Sequence, residues 1–145
     1  MSRSGYTDDC ESNWSLICWR GAVKSAIRGR RGQKLLQELA MALDAMPVKR
    51  LITNDLENAE GEFCTLGVLG AARGLREEFK KVDPEDSDEI AALFDIAPAL
   101  AREIVYENDE GDVWREYTPA QRWSRMREWV DDNLIKSAPQ SEKSE

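Results

Sequence analysis

Apolar residues recur along this chain at helical intervals in several separate stretches, and those intervals lay out most of its expected architecture. Leu16, Trp19, Val23, Ala26 and Ile27 fall three and four residues apart, the spacing that places side chains on one face of a helix. Ser12 or Asn13 supplies a capping side chain, so the pattern predicts a first helix from about Trp14 to Arg28. Leu35, Leu36, Leu39, Ala40 and Leu43 form a second stripe that stops before Pro47, because the residue ahead of a proline is driven out of the helical region. Gly29 can take the left-handed conformation that closes a helix, and Gly32 opens the second stripe. An N-terminal αα-hairpin is therefore expected.

From Val48 the period changes. Lys49 to Asn54 and Glu62 to Leu66 hold β-favouring residues (Leu51, Ile52, Thr53; Phe63, Cys64, Thr65) and flank the mostly polar Asp55 to Gly61, which predicts a small two-stranded β-hairpin packed on the helices. Gly67, Gly70 and Gly74 then punctuate a small-residue segment suited to a short helix lying close against a neighbour. Asp86 and Glu89 have the spacing of a capping box ahead of Ile90, Ala91, Leu93 and Phe94, and Pro98 fits the first position of a helix carrying Leu100, Ala101, Ile104 and Val105. The two should meet at Asp95 to Ala97. Thr118-Pro119-Ala120-Gln121 combines a threonine cap, a proline at the first helical position and a glutamine at the third. It predicts a long C-terminal helix from Pro119 to Ile135 with Trp123, Met126, Val130 and Leu134 on one side. The fold class is thus mainly α (α+β). Residues 1–136 form a single globular domain with an N-terminal arm at 1–12, and 137–145, with no apolar residue after Pro139, form a disordered tail.

Composition bounds the function. The 145 residues are 33% charged and 41% hydrophobic with five tryptophans, as in an ordinary globule with one core. A net charge of −8 opposes non-specific attachment to nucleic acid or anionic membranes. No apolar run approaches the roughly 18 to 20 residues that span a bilayer, and the first residues lack a hydrophobic signal core, so a cytoplasmic location without membrane association is expected. Cys10, Cys18 and Cys64 show no CxxC pairing and read as reduced, core-filling thiols. The chain has no histidine, which excludes Ser-His and Cys-His nucleophilic systems and histidine-ligated zinc. Paired carboxylates are the remaining route to hydrolysis, and no signature supports it, so the chain is read as a non-enzyme without a cofactor.

The charges are sorted along the sequence. Ser12 to Gln37 carries six cations and no acid, whereas Asp83 to Asp112 carries eleven acids and one base, Arg102. At the centre of the first block, Arg28-Gly29-Arg30-Arg31-Gly32-Gln33 joins the two hairpin helices. Arginines there, with backbone amides and a helix N-terminus, make a candidate anion site formed by Arg20, Lys24, Arg28, Arg30, Arg31, Gln33 and Lys34. The competing description is a glycine cap with basic residues complementing a helix C-terminus. The second block supplies an acidic partner-binding face at Asp86, Asp88, Glu89, Glu103, Glu107, Asp109 and Glu110. The Asp88 to Tyr106 stretch has helix-turn-helix spacing, but Ala99, Arg102, Glu103 and Glu107 would present phosphate with net negative charge, so a packing corner is expected rather than a DNA reader. Glu107-Asn108-Asp109-Glu110-Gly111-Asp112 departs from a calcium loop because Gly111 occupies a ligand position and no distal glutamate follows, so no metal site is expected.

Four segments carry a resemblance. Ser4-Gly5-Tyr6-Thr7-Asp8-Asp9-Cys10, Trp19 to Val23 with Ser25 to Gln33, Glu103 to Gly111, and Thr118 to Trp123 are similar to a set of small uncharacterised proteins encoded by bacteriophages and prophages. The resemblance implies a phage setting in a bacterial host cell and brings no activity with it. The expected function is that of a non-enzymatic binding protein engaging a host or phage macromolecule through its polarised charged surfaces, modulating host functions or defence, with a protein as partner. The alternative is a nucleic-acid-binding accessory protein using the Arg28 to Gln33 turn. A homodimer would let the basic and acidic blocks pair between subunits.

Overall fold

A computed structural model of the chain describes residues 13–110 and 116–135. Its elements, in order, are α1 (Asn13–Arg28), α2 (Arg30–Asp44), α3 (Thr65–Ala72), a 3-10 helix (Arg76–Lys81), α4 (Ser87–Phe94), α5 (Pro98–Asp109) and α6 (Pro119–Asn133). The expected N-terminal arm and C-terminal tail lie outside the described residues, as do Cys10, Gly111 and Asp112.

The helical stripes bury as their spacing dictates. Val23 and Ile27 of α1 are inside, with Trp19 and Ala26 packed against them, and Leu35, Leu36, Leu39, Ala40 and Leu43 of α2 are all buried. α2 packs on α1, α3 and α6, while α5 packs on α1, α3, α4 and α6. These two helices form the centre, and Leu39, Leu69, Phe94, Leu100, Ile104 and Met126 belong to the same buried cluster. α6 adds Met126 and Val130 to the core and ties its Trp123 Nε1 to the Leu43 carbonyl at the end of α2 (3.2 Å).

Local signals set the helix ends. Thr118 and Gln121 form a reciprocal capping box, and Pro98 and Pro119 stand in the first turns of α5 and α6. Asp86 caps α4 by accepting from the amides of Asp88 and Glu89, but Glu89 reaches the amide of Asp83 (3.0 Å) rather than that of Asp86. α4 closes on Asp95 in the left-handed region (φ 58°), a conformation aspartate tolerates better than most residues. Gly29 departs from expectation. Its φ of −70° and ψ of 165° are extended, and it caps the start of α2 instead of closing α1 in the left-handed region.

Close approach, rather than backbone freedom, explains two other glycines. A methyl group at Gly32 would stand 2.0 Å from the Ala26 carbonyl oxygen, and one at Gly67 would stand 2.0 Å from that of Leu56. The first contact sets how tightly α2 folds back on α1, and the second lets α3 lie against the loop that precedes it.

The expected β-hairpin does not form. Among the described residues there is no strand, only an isolated antiparallel bridge between Glu57 and Phe63. The 45–64 segment keeps a few bonds of its own, Ile52 N to Phe63 O (3.0 Å), Cys64 N to Leu56 O (3.2 Å) and Asn58 N to Glu62 O (2.9 Å), and gives other groups to the helices or to turn side chains. Leu51 N donates to Pro119 O (3.1 Å), Asn108 Nδ2 donates to Ile52 O (2.9 Å), Arg122 Nη1 donates to Leu51 O (3.1 Å), and Asn58 Oδ1 accepts from the amides of Glu60 and Glu62. With the Leu51 amide and the Leu51 and Ile52 carbonyls engaged by α5 and α6, the pairing of the two segments does not extend into a ladder. Leu51 and Leu56 bury inward and hold the segment on the core. Among the described residues the fold is mainly α, without the expected β component.

Cys64 is buried and caps α3 through its Sγ, whereas Cys18 is exposed rather than core-filling. No described helix is long and apolar enough to cross a membrane.

Candidate functional site

The candidate basic site divides into tethered and displayed groups. Arg20 grips Glu103 with both guanidinium nitrogens (Nη1–Oε1 2.8 Å, Nη2–Oε2 3.4 Å), and Arg31 reaches Asp95 (3.1 Å). The two charge blocks therefore pair in part within one chain. Gln33 donates to the carbonyls of Ile27 (2.8 Å) and Asn133 (3.1 Å) and accepts from the Ile135 amide (2.9 Å). It is a clamp joining the ends of α1 and α6 to α2. Gly32 is buried with its Cα turned onto the carbonyls of Ala26 and Ile27, so it serves packing and not an open amide cup. Lys24 and Arg28, one turn apart on α1, and Arg30 and Lys34, one turn apart on α2, remain exposed without an ion pair among the described residues.

The candidate acids divide the same way. Glu103 is buried on Arg20, and Glu107 is held by Arg125, which also donates to the Glu107 carbonyl (2.7 Å). Asp109 accepts from Asn54 N (3.3 Å) and Asn108 Nδ2 (2.8 Å), and Glu110 is half-buried at the end of α5. Asp86 and Glu89 are engaged at the start of α4. Among the described acids of the block, Asp83, Glu85, Asp88 and Glu89 face solvent where the chain enters α4, and Asp95, on Arg31, faces it at the other end of that helix.

Burial alters the chemistry of α5. It is the largest influence raising the Glu107 carboxyl to about 7, reinforced by a hydrogen bond with Glu103 and opposed by Arg125. Burial, followed by the charges of Glu107, Glu110 and Glu103, also raises the Tyr106 phenol. Beside them Asn108 is buried, with Oδ1 accepting from Thr65 N (3.0 Å) and Thr65 Oγ1 (2.7 Å). Arg122 donates to the carbonyls of Asn108 (3.0 Å), Leu51 (3.1 Å) and Tyr117 (3.1 Å), and burial pulls its guanidinium below the usual arginine range. Both side chains hold the fold together.

A further surface feature is an apolar groove of about 590 Å³ between the end of α2, the 61–63 turn and α3. Met46, Pro47, Val48, Phe63, Val68 and Ala72 are among its walls, and Arg50 and Glu62 are its charged members, 4.0 Å apart. Val48 is 61% exposed. Sequence reasoning missed the groove. The available signal was the apolar run Met46-Pro47-Val48 between two elements. It also missed the burial of Glu103, whose signal was an acid placed between Leu100 and Ile104 on a helix surrounded by others.

With this geometry established, comparison with protein-family models, curated proteins and solved structures finds no match to the chain. The fold and surface define a small helical domain that displays a basic knuckle, an acidic knuckle and an apolar groove.

Proposed function

We propose that this chain is a non-enzymatic binding protein whose partner is a protein of the host or of the phage, in the phage or prophage setting that the sequence resemblance implies. The apolar groove carries this reading. An exposed concave apolar surface with few charges offers a partner side chain a place to bury, whereas nucleic acid seeks dense cations. An amphipathic segment of a partner protein is the occupant that fits, its apolar face against Val48, Phe63 and Ala72 and its polar edge at Arg50 and Glu62. The charged knuckles orient the encounter and set its salt dependence. Modulation of host functions or defence is the consequence we infer.

The test is affinity capture from cells after nuclease treatment, followed by binding of the identified partner to purified variants. Val48→Glu with Ala72→Glu, both at exposed positions, should weaken that binding at least roughly tenfold, about 1.4 kcal/mol. Exchange of Lys24, Arg28, Arg30 and Lys34 for glutamine should mainly slow association. Binding that ignores the groove variant would reject the reading.

A second reading rests on those four displayed cations. They suit a nucleic-acid backbone in a nucleic-acid-binding accessory protein. In that case nuclease would abolish capture, and the glutamine variant would lose binding together with most of its salt dependence.

A further inference from the structure

We propose that a pocket where α2 meets the ends of α3 and α4 is a binding site for a small organic carboxylate, a carboxyl head on a compact apolar body. The pocket measures about 290 Å³, near the lower end of the range for small-molecule sites, roughly 300 to 1,000 Å³. It shares no wall residue with the apolar groove, so the inference stands apart from the reading of that groove as a partner site.

The helical period builds one wall. Arg31, Lys34, Leu35 and Glu38 stand three and four residues apart and so share a face of α2. Facing them are Arg73, the residue that closes α3, and the Phe94 to Ile96 corner where α4 ends. Leu35, Phe94 and Ile96 are the apolar part of the lining, and five ionisable side chains supply the rest.

The charges leave room for one more anion. Arg73 is fixed: Nε and Nη2 donate to Glu38 Oε1, Nη1 donates to the Phe94 carbonyl (3.0 Å), and the guanidinium lies over the Phe94 ring (6.0 Å). Those bonds match Glu38 and use only part of the arginine's donor fork. Lys34 is exposed and has no ion pair among the described residues. Arg31 meets Asp95 at 3.1 Å, but the two side chains are 61% and 84% exposed, and a pair so open to water is worth little. Three cations face two acids, so a single further negative charge balances the lining.

The head group follows from the occupants already there. Asp95 on Arg31 and Glu38 on Arg73 are carboxylates on guanidinium groups, the match that a planar fork favours. A ligand carboxylate accepts from Lys34 and exchanges with Asp95 on Arg31, while its apolar body lies over Leu35, Phe94 and Ile96. Asp95, set by the left-handed end of α4 (φ 58°), is thus an internal competitor for the site.

Amide NMR of the full chain, titrated with sodium benzoate at constant ionic strength, tests the site. Saturating shifts at Lys34, Leu35, Asp95 and Ile96 are expected, with a dissociation constant of roughly 1 mM or below. Benzamide, the neutral isostere, and inorganic phosphate, which lacks the apolar body, should each bind at least about fivefold more weakly. Lys34→Gln should weaken benzoate binding about fivefold, and Lys24→Gln, the same charge change outside the pocket, should not. Asp95→Asn keeps a residue that tolerates the left-handed region and should tighten binding about threefold by removing the competitor, whereas Asp88→Asn should leave it unchanged. Shifts that do not saturate, less than a fivefold preference over benzamide or phosphate, or equal effects within either pair of variants would overturn the proposal. The titrations with the three probes need only the unaltered protein and decide the matter if a variant does not fold.

Discussion

Asn108→Ala should be among the most destabilising single substitutions in this chain, lowering stability by about 3 kcal/mol or more. Asn108 is 3% exposed, and its amide serves both sides of a junction. Its Oδ1 accepts from the backbone amide and the hydroxyl of Thr65 at the start of α3, while Nδ2 donates to the Ile52 carbonyl in the loop and to Asp109 Oδ1. Alanine leaves the Thr65 groups and the Ile52 carbonyl without these partners. Each unmet buried group costs roughly 1 to 3 kcal/mol, more than the net value of a hydrogen bond, because desolvation is no longer offset. Asn108→Asp should not rescue the loss, although it keeps the acceptor. It removes both donors and places a carboxylate against that of Asp109. Chemical denaturation of the three proteins, with the slope used to confirm a common unfolding reaction, measures the effect. An alanine variant within about 1 kcal/mol of wild type would show that water replaces the amide.

Gly32→Ala should cost about 2 to 3 kcal/mol, while Gly21→Ala should stabilise the chain by up to about 1 kcal/mol. Both residues are helical, so propensity favours alanine at either position. The surroundings decide the sign. Nothing lies within 4 Å of a methyl group at Gly21, whereas at Gly32 it would meet the Ala26 carbonyl oxygen at 2.0 Å and that of Ile27 at 3.0 Å. Those are backbone atoms and cannot rotate aside. The αα-hairpin would have to open, shifting Leu35 and Leu36 away from Val23 and Ile27. Melting the two variants beside wild type gives the comparison, and equal effects at both positions would show that the hairpin adjusts without loss.

Partition of the charged residues bears directly on function. Arg20, Glu103, Glu107 and Asp109 bond within the chain at buried or half-buried positions, and a variant of any of them confounds binding with folding, whereas the Arg31–Asp95 pair lies in solvent. Lys24, Arg28, Arg30, Lys34, Asp83, Glu85 and Asp88 stand on the surface and can report on a partner. Exposed charges of this kind contribute little to stability, so their exchange should leave melting almost unchanged.

The sequence by itself determined what is local. Helical stripes, the Thr118 to Gln121 box, the prolines opening α5 and α6 and the cap at Asp86 act through residues within a turn or two of one another, and the observed helices fall where these signals place them. The small-residue run around Gly67 and Gly70 likewise marked a close approach, because packing of that kind requires a missing side chain. Tertiary structure decided the rest. Loop 45–64 had the composition of two strands, but Asn108 reaches Ile52 across 56 positions and Arg122 reaches Leu51 across 71, taking groups a ladder would have used. Gly29 became a helix start and not a left-handed cap because α2 begins immediately after it. Which cations and acids are free also depended on distance in space, since Arg20 meets Glu103 across 83 positions and Arg31 meets Asp95 across 64. Charge and desolvation act through space, so neither the partition of the charges nor the raised carboxyl of Glu107 could be read until the helices were packed.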